Sequence, residues 1–589
     1  MPPTCSAAGC AIVLHGDPGP FTVHLQSREE DGVWYADLEL VADAPALPPQ
    51  IELRWSLPAV GVLAQWRGDC DGSTGAFPPD WGSAAVSARA CSQAPVLCLY
   101  GIDGISRLTC ALADAVNASR LLAGVCEEDG TMACCAAPFA GPRAAATRFG
   151  ASLRLDRRPL PWHAALDAVA AWWEREHPPA VVPDAGRLPM YSTWYSLHQA
   201  VDDAAVEHQC RLAQRLGCSA VIIDDGWQTL DGSRGYAFCG DWDPERIPDM
   251  RGLVDRVHAL GMRVLLWYAV PYIGFRSRSW AGLRDRCLAI DERKGAGVLD
   301  PRYPEVRERL IGQWLAAQRD WGIDGFKLDF VDAFAARDAA GAQPRPGMDI
   351  DGVDDAVIRL LDDGLARLRA SRPDTLIEFR QSYIGPAMRR FGHLFRAGDC
   401  PADAIGNRKR TLDIRMLCRS TAAHADMLMW HAEEPVEGAA LQLLNVLFAV
   451  PQISVLLDRV PESHRRMLAF WLAWWTERRS CLLDGALSAE HPEARYTQAS
   501  ARDASRRITC LYAREPARLG SDDPPLIELV NATAAPGILI EISAPWRGRI
   551  LLRDTTGSVV EQRDAAFQPG VHLLAVPPAG LACLATDAA

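Results

Sequence analysis

From Met190 to about residue 460 the chain alternates short apolar runs with longer amphipathic stretches. The runs fall at 189–194, 219–224, 262–268, 324–329, 375–379, 394–395, 425–430 and 452–457. Each has the length and apolar content of a buried strand. The stretches between them carry helix signals. Residues 202–216 stop at Gly217 and 250–260 stop at Gly261, glycines placed as C-caps. Pro304 falls at N1 of a helix reaching Trp321, and 355–370 is the next helix. Eight strand–helix units in series predict an α/β fold, the (β/α)8 TIM barrel. An open doubly wound sheet would alternate in the same way, but no Gly-x-Gly-x-x-Gly fingerprint follows any strand.

The flanks have a different period. Before residue 180, segments such as Phe21-Thr22-Val23-His24-Leu25 and Trp34-Tyr35-Ala36-Asp37-Leu38 alternate and are punctuated by Gly, Pro and Asp, as in antiparallel sheets. Alternation returns after Arg479, in Arg507-Ile508-Thr509-Cys510-Leu511 and Leu526-Ile527-Glu528-Leu529-Val530. The expected domains are an N-terminal β-sandwich (1–180), the barrel (186–480) and a C-terminal antiparallel β-sandwich (485–589). A chain of 589 residues is in any case too long for one core.

Several of the barrel runs end in acid: Ile223-Asp224-Asp225-Gly226-Trp227-Gln228, Lys327-Leu328-Asp329 and, after Leu394-Phe395-Arg396, Asp399. Desolvating an unpaired carboxylate costs several kcal/mol, so such endings imply that the charge is used. Strand C-termini converge on the face of a barrel where chemistry is done. Carboxylates arriving there from different strands suit glycoside hydrolysis, which needs a nucleophile and a proton donor. Asp329 is the candidate nucleophile, with Lys327 on the same side of its strand; a structural ion pair is the competing reading. Asp399 is the candidate acid/base, against the ordinary role of a helix N-cap or turn aspartate, and Asp403 is a nearby competitor for either job and a candidate substrate contact. Asp224 and Asp225 are candidate hydroxyl acceptors. Trp227, Trp194, Trp267 and Trp430 are candidate stacking faces, against packing in the core. Arg380, Arg396 and Arg415 are candidates for orienting carboxylates or binding a charged substituent.

Composition narrows the partners. A formal charge of −13 disfavours nucleic acid. No window offers the roughly 20 apolar residues of a membrane span. None of the 13 His forms a His-x-His or His-Glu-x-x-His pattern, and no P-loop or Gly-x-Ser-x-Gly elbow occurs, so no metal or organic cofactor is expected. The 18 Cys contain no Cys-x-x-Cys pair, and the N-terminus lacks a signal-peptide pattern. Both features predict free thiols and a cytoplasmic protein. The expected partner is a small carbohydrate; self-association into a homo-oligomer stays open.

These motifs, in this order over about residues 190–460, resemble glycoside hydrolase family 36, the α-galactosidase and raffinose synthase group of the melibiase-like clan. Ile223-Asp224-Asp225-Gly226-Trp227-Gln228 is similar to that family's strand-2 motif. Asp300-Pro301-x-x-Pro304-Glu305-Val306-Arg307 is similar to its approach to strand 4, Lys327-Leu328-Asp329 to its nucleophile motif, and Gly398-Asp399-Cys400-Pro401-Ala402-Asp403-Ala404 to its acid/base segment, with one residue extra. The resemblance implies the same three-domain architecture, a retaining exo-α-glycosidase, and opposite protonation of Asp329 and Asp399. Two stretches depart from the family. Trp267-Tyr268-Ala269-Val270-Pro271 lacks the strand-3 acid, and 378–386, Glu378-Phe379-Arg380-Gln381-Ser382-Tyr383-Ile384-Gly385-Pro386, replaces a Gly-rich, Arg-containing segment after strand 5. Rival expectations are a galactosyl transferase, a glycosidase for another α-sugar, and a silent carbohydrate-binding barrel.

Overall fold

Eight parallel strands close around one axis in the computed structural model, which describes residues 2–69, 77–82, 85–233, 235–336, 341, 343–380 and 383–586. They are β1 (Met190–Ser192), β2 (Ala220–Ile223), β3 (Arg263–Ala269), β4 (Gly325–Asp329), β5 (Leu376–Arg380), β6 (Leu394–Arg396), β7 (Ala422–His424) and β8 (Gln452–Ile453). β8 pairs back onto β1 through Met190↔Gln452 and Tyr191↔Ile453, and a parallel bridge between His424 and Val450 completes the ring. Side chains fill the interior and helices cover the outside, so β2, β3 and β4 are buried on both faces; β2 is wholly apolar, β3 is apolar after Arg263, and β4 is broken only by Lys327 before its terminal Asp329.

The covering helices are α1 (Asp203–Arg215), α2 (Met250–Ala259), α3 (Pro304–Ala316), α4 (Val353–Ser371), α5 (Ala404–Cys418), α6 (Val436–Leu444) and α7 (Glu462–Asp484). Pro304 is the N1 residue of α3. Asp202 and Asp249 cap α1 and α2, accepting from the amides of Ala205 and Gly252 at 2.8 and 3.0 Å.

Three expectations are corrected. β7 lies at Ala422–His424, upstream of the Met-rich run at 425–430 that drew the prediction, which leaves Asp426 just past the strand end. The β5–β6 crossover is a 3-10 turn, Pro386–Arg390, with no α-helix among its described residues. After β3 the chain makes a small antiparallel sheet, Tyr272–Gly274, Cys287–Asp291 and Ala296–Leu299, that the apolar pattern did not announce.

Upstream lie two six-stranded antiparallel sheets packed over a core that includes Ile12, Leu38, Leu53, Leu99 and Leu153. Downstream, a seven-stranded and a three-stranded sheet enclose Leu529, Ile540, Ile550 and Leu584. All three regions meet at one buried carboxylate on α5. Asp413 Oδ1 accepts from Trp66 Nε1 of the upstream sheets at 3.1 Å and from the Tyr496 hydroxyl of the downstream region at 2.5 Å. Among the described residues no helix is long and apolar enough to cross a membrane, and every described cysteine is a free thiol.

Candidate active site

The C-terminal rim of the barrel gathers acids and cations that are far apart in sequence. Asp329, the last residue of β4, is 6% exposed. Its Oδ2 accepts from Trp267 Nε1 on β3 at 3.0 Å, and its Oδ1 from the amide of Phe330 at 2.8 Å. Arg380 Nε, at the end of β5, stands 2.8 Å from Oδ1 as an ion pair. Phe330 adopts a left-handed φ of 62°, a conformation that costs a non-glycine residue about 1 kcal/mol or more and turns its amide back onto Asp329. Burial works to raise the Asp329 pKa, but Arg380, Lys327 and Arg396 outweigh it and hold the carboxyl below its ordinary value.

Lys327 points to the same side of β4 and gives its ammonium to Asp224 Oδ2, past the end of β2, at 2.5 Å. Thr193 Oγ1 accepts from the Asp224 amide at 2.9 Å, tying β1 to the same corner. Asp225 is held by two amides, Gln199 Nε2 on Oδ2 and Gln228 Nε2 on Oδ1, each at 2.7 Å. Burial raises its pKa to about 6 in spite of those hydrogen bonds. Gly226 makes the approach possible: its φ is +118°, and a Cβ there would stand 2.6 Å from the Gln199 Cα.

Asp399 lies three residues beyond β6 with 48% of its side chain exposed, and Arg396 Nη2 donates to it at 3.0 Å. Burial of the partly covered carboxyl is overcome by Arg396 and Lys327, so the pKa falls to about 2. The expected elevation is therefore absent from the unliganded protein. Arg396 itself is buried and also pairs with Asp426, which accepts from the Tyr195 hydroxyl at 3.0 Å.

Other residues land elsewhere. Trp227 is fully buried, donates to the Trp267 carbonyl at 3.0 Å and packs against Trp242, Tyr268 and Trp321, so it has no face for a sugar. Trp267 serves as a donor to Asp329. Asp403 is exposed and caps α5, accepting from the Gly406 amide at 2.8 Å. Arg415 faces the Gly485 carbonyl, and Trp430 donates to His464; both are structural. Trp194 is half-buried past β1, stacked on His198 with centroids 4.0 Å apart. Gln381 and Ser382 lie outside the described residues.

The structure adds groups that the sequence reading passed over. Asp332 accepts from the Tyr383 hydroxyl at 3.0 Å and faces Arg380 at 3.6 Å. Tyr236, Tyr272 and Phe330 cluster beside Asp329, with Lys294 Nζ 4.6 Å from the Tyr272 ring. An acid three residues beyond Asp329 was a visible signal for Asp332; the aromatic cluster depends on the unannounced small sheet. From the N-terminal region Arg89 reaches the same loop, donating to the Phe334 carbonyl at 2.7 Å, to Asp354 at 2.8 Å and to the Asp332 carbonyl.

No family model matches the chain. Over 159 residues, 25% of this chain and 22% of the relative, it is 28% identical to α-galactosidase 2 of Pediococcus pentosaceus. Over 128 residues, 20% and 16% respectively, it is 27% identical to the α-xylosidase XylQ of Lactiplantibacillus pentosus. The matches thus span about a fifth of those curated relatives. Among solved structures, the GH36 α-galactosidase AgaA of Geobacillus stearothermophilus superposes with a TM-score of 0.65 at 13% identity, over 98% of this chain and 83% of that one. The α-galactosidase of Lactobacillus brevis gives 0.65 at 14%, over 98% and 82%. The fold is that of the GH36 α-galactosidases.

Proposed function

We propose that this protein is a glycoside hydrolase of the GH36 kind, a retaining exo-α-glycosidase that removes terminal α-galactosyl groups. The observation that carries the reading is Asp329: a buried carboxylate at the end of a barrel strand, kept ionised by Arg380, Lys327 and Arg396 and oriented by Trp267. A nucleophile must be deprotonated and aimed before the sugar arrives, and those contacts do both. Asp329 attacks the anomeric carbon as the leaving oxygen takes a proton from Asp399, and a glycosyl ester forms. Asp399, now ionised, deprotonates a water that attacks the same carbon and releases the sugar with its configuration retained. Asp224, Asp225 and Lys327 line the neighbouring corner as acceptors and a donor for sugar hydroxyls.

One observation favours a second reading, a glycosidase for another α-sugar. The strand-3 acid of the family is missing from 267–271, and one curated relative is an α-xylosidase. The test is hydrolysis of a panel of aryl α- and β-glycosides, with proton NMR of the first-formed sugar. Release of α-galactose supports the whole proposal. Turnover of α-xyloside in preference moves the specificity to the second reading, and β-sugar as first product rules out retention.

A further inference from the structure

Arg396 lies on a barrel strand and is 1% exposed, so each atom of its guanidinium has to be accounted for. Nη1 donates to Asp426 and to the Ala397 carbonyl, and Nη2 donates to Asp399. Nε faces Oε1 of Glu378, a wholly buried residue on β5, across 3.6 Å. That is too long for a hydrogen bond. Neither Nε nor Oε1 finds a hydrogen-bond partner among the described residues. Two buried polar atoms of complementary charge, unsatisfied and facing one another, are costly as they stand. A shift of less than about 1 Å would join them. Glu378 is anchored, because Gln452 Nε2 holds its Oε2 at 2.5 Å. The Asp399 backbone is anchored too, its carbonyl accepting from Arg410 Nη1 at 2.8 Å. The guanidinium is the part with somewhere to go.

We propose that Arg396 is the positioning residue of the acid/base step: it rests on Asp399 while that carboxylate is ionised, and moves onto Glu378 when Asp399 takes up a proton. The inference rests on Asp399 being the acid/base. It eases the conflict that this assignment otherwise carries. With Arg396 on it, Asp399 titrates near 2 and would hold no proton at neutral pH. Lys327 and Arg380 act on it in the same direction, while Tyr195 and Asp426 flank it. A shift of Arg396 toward Glu378 lengthens its hydrogen bond to Asp399 and so weakens the strongest of the three cationic influences. Glu378, whose pKa burial raises, gains a counter-ion, and Asp426 remains a partner of the guanidinium throughout.

Two measurements test this. In a crystal structure of Asp399→Asn, where a neutral side chain imitates the protonated acid, the Arg396 Nε–Glu378 Oε1 separation should close from 3.6 Å to about 2.9 Å. A separation that stays put overturns the proposal, whatever the enzyme hydrolyses. In Glu378→Gln the acceptor charge is gone and Arg396 stays on Asp399. The alkaline limb of kcat/KM for methyl α-galactoside should then move down by about one pH unit, and its value at pH 7 should drop about tenfold or more. Formation of the glycosyl-enzyme from 2,4-dinitrophenyl α-galactoside, which needs no proton, should be unchanged. Equal losses on both substrates with an unmoved limb mean that Glu378 is merely structural. A wild-type enzyme that turns over neither substrate removes the proposed function instead, and the Asp399→Asn structure still decides whether the guanidinium moves.

Discussion

Trp267→Phe keeps a ring packed between Trp242 and Phe330 but deletes the N–H that reaches Asp329. A hydrogen bond to a charged acceptor contributes about 1.5 kcal/mol, equivalent to about one pK unit. Removing it raises the Asp329 pKa, so the acid limb of the pH–rate profile should move up by about one unit while the alkaline limb stays. An unmoved acid limb would mean that the indole does not tune Asp329. Asp225 titrates in the opposite sense. Its folded pKa, about 6, lies above the ordinary 3.8, so the folded protein holds a proton that the unfolded chain has already lost. Stability from this group is full below pH 4 and falls as pH rises to 6, by about 3 kcal/mol in all. Asp225→Asn should flatten that slope. The check is a comparison of urea midpoints at pH 4 and pH 7 for the two proteins; parallel slopes would refute the assignment.

At the scale of elements, α5 separates two readings of the Gly398–Ala404 segment. Asp403 caps the helix, so Asp403→Ala should cost about 1 kcal/mol of stability and leave turnover unchanged. A collapse of kcat/KM with little loss of stability would return Asp403 to the substrate. The strands that bear Asp224 and Asp329 were readable from sequence because both their faces are covered, which leaves an apolar run stopped by acid. β7 was misplaced, since its three-residue ladder is held by its neighbours and the more apolar run lies just downstream, whereas β8 falls within the expected 452–457. The misplacement of β7 hid Asp426, and with it the buried pairing of Arg396. Ion pairs between β5, β6 and β7 leave no periodic trace, and nothing local distinguishes a core arginine from a surface one. Trp227 failed for a related reason: a tryptophan after an Asp-Gly turn fits a platform or a plug equally well until its neighbours are known.

At the scale of the molecule, Asp413 joins three regions with one carboxylate. Lys409 also donates to it, at 2.7 Å, so Asp413→Ala leaves a tryptophan, a tyrosine and a lysine without their common acceptor. The expected loss is about 3 kcal/mol or more. In calorimetry a single wild-type endotherm should split in the variant, with the upstream sheets melting apart from the barrel. A variant that keeps one unsplit peak would show that the regions are coupled by other contacts.

Arg89 extends that coupling into the chemistry. Its guanidinium, rooted in the N-terminal sheets, fastens the loop that begins immediately after Asp329. The barrel is therefore not a portable module. Excised as a truncated domain or grafted into a chimaera, it would keep its eight strands but lose the outside strut that sets where Asp332 sits. Designers seeking a minimal barrel, and lineages shedding sequence, face the same constraint: the flanking sheets cannot be discarded as packaging, because the loop that follows Asp329 is nailed to them.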